Sequence, residues 1–211
     1  MIRRQSWTAV SVTLVLMVIT GVVYPLAVTG VAQLLFPRQA NGSLVTRNGK
    51  VVGSALIGQK FKSDEYFHSR PSAAGDGYDP LASGGTNKGP TDRKLADTLI
   101  ANAVNAVVAH DGARRGMIPA DLVTSSASGL DPDISPASAM IQVGRVSRAR
   151  QVDSARVSAL VEQHVEGRQI GILGEPRVNV LALNLALDVA FPTSGEPRPV
   201  LSASGTRSAG R

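Results

Sequence analysis

The longest apolar stretch of the chain runs from Trp7 to Phe36. Within it the phenol of Tyr24 is the only ionisable group, and Val, Leu, Ile and Ala dominate. A helix of about 30 residues reaches roughly 45 Å, whereas the hydrocarbon core of a bilayer is ~30 Å thick. The pattern therefore predicts a single transmembrane helix over residues 7–36, after a short N-terminal segment, residues 1–6.

A cleaved secretory signal is the alternative interpretation of this stretch. Arg3 and Arg4 supply a positively charged start, and Gly30-Val31-Ala32 offers a small-x-small cleavage site. The apolar core of a signal peptide, however, covers only about 7–15 residues, and the stretch here is twice that length. We therefore favour a retained membrane anchor.

Three positions inside the anchor favour contact with a second helix in the membrane. Pro25 lacks a backbone N–H and is expected to kink the helix. Gly21 and Gly30 are small, and small residues let helices approach closely in lipid. Gly21, Pro25 and Gly30 are thus the candidate residues for packing of the membrane helix.

A β-hairpin is the first element expected after the anchor. Asn48-Gly49 stands between two short runs with β-branched residues, 44–47 and 50–52. Asn-Gly is preferred in type I′ turns, where both central residues need a positive φ. Residues 54–61 are expected to continue as a third short strand.

Residues 62–92 are rich in Ser, Gly, Asp and Pro and show neither a helical nor a strand period. Loops of this length in a compact domain are commonly functional or disordered. Tyr66, Phe67 and Tyr78 argue for order, because disordered linkers are poor in aromatic residues. We expect an ordered loop that faces a partner, with a disordered linker as the alternative.

From residue 91 to residue 190 apolar residues recur every three or four positions, which predicts helices. Thr91 or Asp92 is expected to cap the first helix. The predicted helices cover residues 92–111, 118–124, 135–150, 153–166 and 180–189, and residues 171–179 are expected to form turns. On the third of these helices we expect Arg145, Arg148 and Arg150 to face solvent.

The fold class predicted from these elements is α+β. One helix-rich soluble domain with a small β-sheet is expected over residues 42–190, after the single N-terminal transmembrane helix. Residues 191–211 contain almost no apolar side chains besides Phe191, Val200 and Leu201. Such a segment buries too little surface to offset its ordering entropy, so we predict a disordered tail.

Composition excludes several classes of function. The chain has no cysteine, which rules out disulfides, thiolate catalysis and Cys-ligated metals. Its net charge is +6, but only 4% of the residues are aromatic and no stretch alternates them with Arg or Lys, so nucleic acid is not an expected partner. The three histidines are far apart and lack zinc-ligand spacing, and no metal site is predicted.

Nucleotide hydrolysis by the chain itself is not supported. Gly53 to Lys60 resembles a phosphate-binding loop, but Gln59 stands where the lysine is required. An Asp-Lys-Thr-Gly phosphorylation sequence is absent. We therefore expect no catalytic residues for ATP hydrolysis in this chain.

Two local patterns leave other chemistry open. Ser83, Gly84 and Gly85 offer consecutive backbone N–H groups to an anion and are candidate nucleotide-binding residues, although ordinary turns share this composition. His68 lies among serines near Asp64 and suggests an alternative function, a membrane-anchored extracytoplasmic hydrolase.

Seven segments in order resemble one known family. They are Thr20–Leu26, Gly53–Gln59, Tyr66–Ala73, Ser83–Asn87, Ser126–Pro132, Gly174–Leu181 and Asn184–Asp188. Together they resemble the C subunit of the Kdp-type high-affinity potassium-transporting ATPase. Each segment alone is unspecific, whereas their ordered occurrence from the anchor to residue 188 is specific.

The resemblance implies an accessory, non-catalytic subunit needed for assembly and activity of an ATP-driven potassium uptake complex. Its partners would be a channel-like potassium-translocating subunit, a P-type ATPase subunit and a small single-helix subunit, besides membrane lipid. The implied location is the bacterial inner (plasma) membrane, with one pass, a cytoplasmic N-terminus and an extracytoplasmic soluble domain. Charges on the two sides of the anchor are nearly balanced and do not fix this orientation.

The family is also described as a catalytic chaperone that raises the ATP affinity of the hydrolysing subunit. The chain would have no cofactor of its own, and ATP would act through the ATPase subunit. Because an extracytoplasmic domain does not meet cytoplasmic ATP, we expect this influence to be indirect. An ATP-binding regulator that faces the cytoplasm is the third interpretation.

The sequence departs from the family pattern at two positions. Asp133 replaces the histidine of the family's Asp-Pro-His-Ile-Ser stretch, so a role of that histidine has no support here. Thr86 follows Ser-Gly-Gly where relatives can have Gln. The second departure weakens the case for nucleotide contact at that segment.

Overall fold

The computed structural model describes residues 2–192, and the chain divides after Leu44 into two compact units. The first unit holds the apolar stretch, and the second unit holds the α+β domain. The predicted tail, residues 191–211, lies outside the described residues except for Phe191 and Pro192.

The first unit is a long helix followed by one short turn of helix. Helix α1 spans Ile2–Val18, a π-helical turn spans Ile19–Val23, and helix α2 spans Tyr24–Leu35. The 33 residues from Arg3 to Leu35 are long and apolar enough to cross a membrane. Helix α3, Pro37–Ala40, closes the unit. The predicted apolar helix is thus confirmed in length and composition.

The π-helical turn lies directly before Pro25. The N–H of Tyr24 donates to the carbonyl of Ile19, five residues back, and the hydroxyl of Thr20 donates to the carbonyl of Leu16 at 2.8 Å. A π-turn widens the helix by one residue and changes which carbonyls face the proline ring. The helical backbone therefore continues on both sides of Pro25.

The second unit begins with the predicted hairpin. Strand β1, Leu44–Arg47, pairs with strand β2, Lys50–Ser54, and both Asn48 and Gly49 have positive φ, 51° and 74°. The hairpin prediction is confirmed.

The predicted third strand over residues 54–61 is wrong, because the backbone turns away after Ser54. With its amide oriented to satisfy both hydrogen bonds, Gln59 donates to the carbonyl of Val52 and accepts from the N–H of Ser54. The N–H of Gly58 donates to the carbonyl of Leu130 at 2.8 Å. A folded-back side chain thus occupies the edge of β2 that a third strand would need.

A second, three-stranded antiparallel sheet has the order β3-β5-β4. Its strands are β3 (Asp133–Ile134), β4 (Val165–Glu166) and β5 (Arg177–Asn179). The sequence interpretation predicted no strand at any of these positions. It left β3 between two predicted helices, placed β4 at the end of a predicted helix and placed β5 among predicted turns, and these assignments were wrong. Strands of two or three residues are too short to show a period of two, so pairing alone reveals them.

Within residues 45–192 four α-helices carry the domain, and the last three of them share a core with the three-stranded sheet. They are α4 (Ala101–Asp111), preceded by a π-helical turn (Leu95–Ile100), α5 (Pro136–Arg150), α6 (Ser154–Gln163) and α7 (Val180–Ala190). Helices α5, α6 and α7 start at Ser135, Asp153 and Asn179, whose side chains each accept an N–H of the first turn. These predicted helices are confirmed, whereas residues 118–124 form only a 3₁₀ turn, Ala120–Leu122.

The main core lies between α5, α6, α7 and the three-stranded sheet. Its fully or almost fully buried members are Phe67, Ile134, Ala139, Val143, Val146, Val157, Val161, Val178, Val180, Leu183 and Leu187. Phe67 comes from the long loop, so that loop is part of the core. A smaller cluster joins α4 to the 3₁₀ turn through Val107, Leu122 and Val123.

The predicted exposure of α5 arginines is wrong at two of three positions. Arg145 and Arg150 retain 4% and 8% of their accessible surface, whereas Arg148 is exposed as expected. The reason is that the long loop covers the face of α5 from which Arg145 and Arg150 project, and its carbonyls bond to both guanidinium groups. Helical period alone does not show what covers the polar face of a helix.

Candidate functional site

Two side-chain amides hold the long loop at Phe67 and His68. Asn184 on α7 accepts from the N–H of Phe67 at 2.8 Å and donates to its carbonyl at 2.9 Å. Gln142 on α5 accepts from the N–H of His68 at 2.7 Å and donates to its carbonyl at 3.0 Å. These two amides, which we call the amide clamp, satisfy the buried backbone groups that a neighbouring strand would otherwise pair with. The loop is ordered for this reason.

Arg145 supports the amide clamp from α5. Its Nη2 donates to Oε1 of Gln142 at 2.8 Å, and its Nη1 donates to the carbonyls of Asp64 and Tyr66 at 2.7 and 2.9 Å. Its Nε pairs with the carboxylate of Asp111 at 2.8 Å, and both side chains are more than nine-tenths buried. One guanidinium thus fixes the loop, the clamp and the end of α4.

Arg150 forms a second polar centre at the end of α5. It donates to the carbonyl of Glu65 at 2.7 Å, pairs with Asp188 at 2.7 Å, and stacks over the ring of Tyr66. Asp188 also pairs with Arg47 of β1 at 2.8 Å. This carboxylate therefore joins α7 to the hairpin and to the long loop.

The loop places Arg70 beside a cleft of about 450 Å³. The cleft is lined by Arg70, Asp121, Asp131, Asp133, Ile134, Ser135, Glu175, Pro176 and Arg177. Three of the segments that carry the family resemblance, 66–73, 126–132 and 174–181, meet here. Residues far apart in the sequence thus form one surface, and this cleft is the candidate functional site.

The charges of the cleft are largely paired with one another. Arg70 pairs with Asp131 at 2.9 Å, and Arg177 pairs with Asp133 at 3.1 Å. Within residues 2–192 no group of three or more His, Asp or Glu side chains is arranged to hold a metal ion. The cleft is therefore a polar surface with two arginines and four carboxylates, suited to contact with another surface.

Asp121 holds the start of α5 at the floor of the cleft. Its carboxylate accepts from the N–H of Ser135 at 2.7 Å and from the hydroxyl of Ser138 at 2.8 Å. A carboxylate near the N-terminus of a helix is stabilised by the helix dipole. Asp121 is thus a positioning residue for β3 and α5.

Asp133, at the family's histidine position, is half-buried beside other carboxylates. Burial raises the pKa of its carboxyl, and the negative charges of Asp131 and Glu166 act in the same direction. Hydrogen bonding from Asn179 and the charge of Arg177 act against these effects on the pKa. The sign of the shift means that Asp133 accepts a proton more readily in the folded chain than in the unfolded one.

His68 is part of the long loop, with its ring Nε2 3.1 Å from the carbonyl of Ser63. Burial lowers the pKa of His68, and the positive charge of Arg145 lowers it further, against the opposing effects of Ser63, Asp111 and Asp64. Among the described residues the ring forms no hydrogen bond with a serine hydroxyl. The ring is therefore held by a backbone carbonyl and does not make the serine contact that a serine hydrolase requires.

We expect the free energy of unfolding of the domain to decrease at acidic pH because His68 becomes protonated on unfolding. The pKa of His68 is lower in the folded chain than in the unfolded chain, where it is about 6.5. As the pH falls below that value, the unfolded chain binds more protons than the folded chain, and the free energy of unfolding therefore decreases. Urea unfolding of the full chain in detergent at about pH 7.5 and about pH 5.5 measures this fall. The variant His68→Gln should show a smaller fall.

The exposed His110 provides the control for this measurement. We expect His110→Gln to retain the pH dependence of the unmodified chain. If His68→Gln retained it as well, the assignment of the acid sensitivity to His68 would be wrong.

Ser83, Gly84 and Gly85 pair with a second loop at Ala127 and Ser128. The hydroxyl of Ser83 and the N–H of Gly84 both donate to the carbonyl of Ser128, at 3.0 and 2.9 Å. A Cβ on Gly85 would lie 3.0 Å from the carbonyl of Ala127. The N–H of Gly84 is thus used within the chain, and nucleotide contact at these residues stays a prediction.

Gly129 lies close to the backbone of two other segments, and Gly129→Ala should be strongly destabilising. Its φ is +67°, and a Cβ would lie 2.6 Å from the carbonyl of Gly84 and 2.7 Å from the nitrogen of Ala74. A left-handed backbone costs an alanine roughly 1–2 kcal/mol, and overpacking against backbone that cannot yield adds about 1–3 kcal/mol. Urea unfolding of the full chain measures the sum.

Gly112 at the end of α4 is the matched control for Gly129. Its φ is +69°, but no atom lies within 4 Å of a Cβ built there. Gly112→Ala should therefore lose only the conformational part. Equal losses at the two positions would show that the close approach of Gly129 contributes nothing to stability.

In the first unit, the candidate packing residues lie along the apolar helix. Apart from the adjacent backbone of the helix itself, no atom of the described residues comes within 4 Å of a Cβ built on Gly21 or Gly30. Both positions therefore leave shallow depressions on the helix surface. Packing of Gly21, Pro25 and Gly30 against a second membrane helix stays a prediction.

The sequence interpretation assigned no role to the clamp residues, and of the cleft it singled out Asp133, as a departure from the family pattern, and otherwise only segments. Asn184 and Arg70 lie in segments that carry the family resemblance, whereas Gln142 does not. The available signal for Gln142 was an amide among apolar positions of α5, and that pattern does not distinguish a buried amide from an exposed one.

The chain is similar to known proteins over most of its length. The model of the family described as K+-transporting ATPase, c chain (KdpC), matches residues 6–189. A potassium-transporting ATPase KdpC subunit of Gemmatimonas aurantiaca is 63% identical over 193 residues, 91% of this chain and 96% of that protein. The subunits of the same name from Rhodospirillum rubrum and Allorhizobium ampelinum are 58% and 57% identical, covering 84% and 88% of this chain and 91% and 96% of those proteins.

Proposed function

Because this chain belongs to the KdpC family of K+-transporting ATPase c chains, we propose that it acts as an accessory, non-catalytic subunit in the assembly and activity of a potassium pump. The observation that carries the proposal is the extent of the match, which includes both the apolar helix and the domain up to the end of α7. The family match thus supports a role that uses both the apolar helix and the domain.

The polar groups of the domain support a non-catalytic role. The buried arginines hold loop carbonyls, the carboxylates of the cleft are paired or capped, and the ring of His68 contacts a backbone carbonyl. Each of these groups is satisfied by the fold itself. Chemistry on potassium or ATP would then belong to the other subunits.

We further propose that the N-terminus lies in the cytoplasm and the domain outside it. A reporter fused after Arg211 tests this orientation, since alkaline phosphatase is active only outside the inner membrane and green fluorescent protein folds in the cytoplasm. Phosphatase activity supports the proposal. Fluorescence without phosphatase activity would overturn it and favour a cytoplasmic ATP-binding regulator.

Any effect on ATP affinity would then pass through contacts with the other subunits. These are the channel-like potassium-translocating subunit, the P-type ATPase subunit and the small single-helix subunit. The domain would bias the conformation of the ATPase subunit from the other side of the membrane, because a ligand or partner shifts an equilibrium only through differential contacts.

Deletion of the chain tests the accessory role. In a strain without other potassium uptake systems, we expect loss of growth at limiting potassium and loss of co-purification among the remaining pump subunits. A matched variant with an unrelated transmembrane helix in place of residues 7–36 separates tethering from specific helix packing. Unimpaired growth of the deletion strain would contradict the proposal.

A further inference from the structure

The connection between β4 and β5 exposes three large aliphatic side chains together. Ile170, Ile172 and Leu173 retain 90%, 77% and 59% of their accessible surface. Single exposed aliphatic residues are common, but a contiguous group marks an interaction surface. We call residues 169–174 the apolar tip.

The apolar tip has a defined shape. Gln169 and Leu173 exchange backbone hydrogen bonds, at 2.8 and 3.0 Å, and form an isolated antiparallel bridge. Gly171 and Gly174 have positive φ, and so does Ile170, at 54°. A left-handed conformation is costly for a β-branched residue and is held where the surrounding structure fixes it. The tip therefore presents its side chains in a preset arrangement.

The base of the apolar tip carries no net charge. Arg168 pairs with Glu175 at 2.8 Å, and Arg177 pairs with Glu166 at 2.9 Å. Segments that enter an anionic membrane surface combine apolar residues with uncompensated Lys or Arg. This hairpin has two positive and two negative residues, so it has no net charge that would attract it to an anionic lipid surface. The neutral charge therefore favours contact with a protein surface over contact with lipid.

The apolar tip is continuous with the cleft. Glu175, Pro176 and Arg177 follow the tip directly and line the cleft. Protein interfaces commonly have an apolar centre surrounded by a polar rim. The tip and the paired charges beside it have this composition.

We infer that the apolar tip inserts Ile170, Ile172 and Leu173 into an uncharged apolar pocket on another protein subunit of the potassium pump, with the cleft at the rim of the contact. The inference rests on the proposed function, which places the chain in that assembly. A preset tip loses little conformational freedom on binding, so its apolar surface contributes efficiently to affinity.

The test compares the full chain with a triple variant, Ile170→Asn, Ile172→Ser and Leu173→Ser, in binding to the other pump subunits, each expressed and purified separately in detergent and then mixed. Asn tolerates the left-handed backbone at position 170, so the variant should fold with an unchanged urea midpoint. We expect its affinity to fall by about 100-fold or more, as for the central residues of an interface. Leu81→Ser with Met117→Ser, two highly exposed residues elsewhere, is the matched control and should bind normally.

The outcomes separate this inference from the proposed function. If the unmodified chain failed to bind the pump subunits, the proposed function would be wrong. If the unmodified chain, the triple variant and the control all bound equally, the proposed function would stand and the role of the tip would be overturned.

A second measurement identifies what covers the tip. The chain has no cysteine, so Ile172→Cys can be labelled at one site with an environment-sensitive fluorophore. We expect a blue shift only when the other pump subunits are added. A shift in phosphatidylglycerol-containing proteoliposomes of the chain alone would assign the tip to lipid, and a shift that depends on chain concentration in detergent would assign it to a second copy. Either result would overturn the inference.

Discussion

Arg145→Met is expected to lower the free energy of unfolding by about 3–5 kcal/mol, because removing one partner of a buried ion pair leaves an uncompensated charge. The side chains of Arg145 and Asp111 are only 4% and 8% exposed. The substitution also orphans the carbonyls of Asp64 and Tyr66 and releases Gln142 of the amide clamp. Methionine keeps the unbranched apolar part of the arginine side chain, so the change mainly removes the charge and the hydrogen bonds of the guanidinium group.

Urea unfolding of the full chain in detergent, followed by circular dichroism, measures this loss. Arg148→Met on the same helix is the control, and an exposed site should change stability by no more than about 0.5 kcal/mol. The double variant Arg145→Met with Asp111→Leu should be more stable than Arg145→Met alone, since no buried carboxylate is left unpaired. Equal stability of the Arg145→Met and Arg148→Met variants would contradict the role of the buried pair.

Asn184→Leu is expected to destabilise the domain by about 2–6 kcal/mol, since two buried backbone groups of Phe67 lose their partners at about 1–3 kcal/mol each. Asn184 and Phe67 are 1% and 0% exposed, so water does not replace the lost bonds in the folded chain. Leucine is larger than asparagine, so it leaves no cavity, and overpacking at this buried position adds to the loss. The loop should open locally around Phe67 before the domain unfolds.

Hydrogen exchange at the amide of Phe67, together with urea unfolding, checks this result. Asn184→Asp retains an acceptor for the N–H of Phe67 but buries an unpaired carboxylate against its carbonyl, and should be at least as destabilising as Asn184→Leu. Asn102→Leu, at an exposed position of α4, should leave both measurements unchanged. Unchanged exchange at Phe67 in Asn184→Leu would show that the amide clamp does not order the loop.

The clamp links stability to the candidate site. The loop runs from Phe67 to Arg70 within three residues, so release of Phe67 removes the support of the Arg70–Asp131 pair at the cleft. We therefore expect clamp variants to weaken binding to the other pump subunits as well as stability. Substitutions in the apolar tip should weaken binding alone.

Local signals in the sequence determined several elements of this protein. The long apolar stretch fixed the N-terminal helix, and Asn48-Gly49 fixed the hairpin because few other residues adopt two successive positive φ values. Ser135 and Asp153 marked the starts of α5 and α6, since a capping side chain bonds within its own first turn. The ordered segments identified the family. Each of these depends on residues close together in the chain.

Only the tertiary structure decided the site. Asn184 meets Phe67 across 117 residues, and Gln142 meets His68 across 74, so no local pattern announces either contact. The burial of Arg145 and Arg150 follows from loop carbonyls that cover α5, and the strands of the second sheet are too short to have a readable period. A hydrogen bond between residues far apart in the sequence forms only where the fold brings their atoms together, so it cannot be predicted from either residue alone.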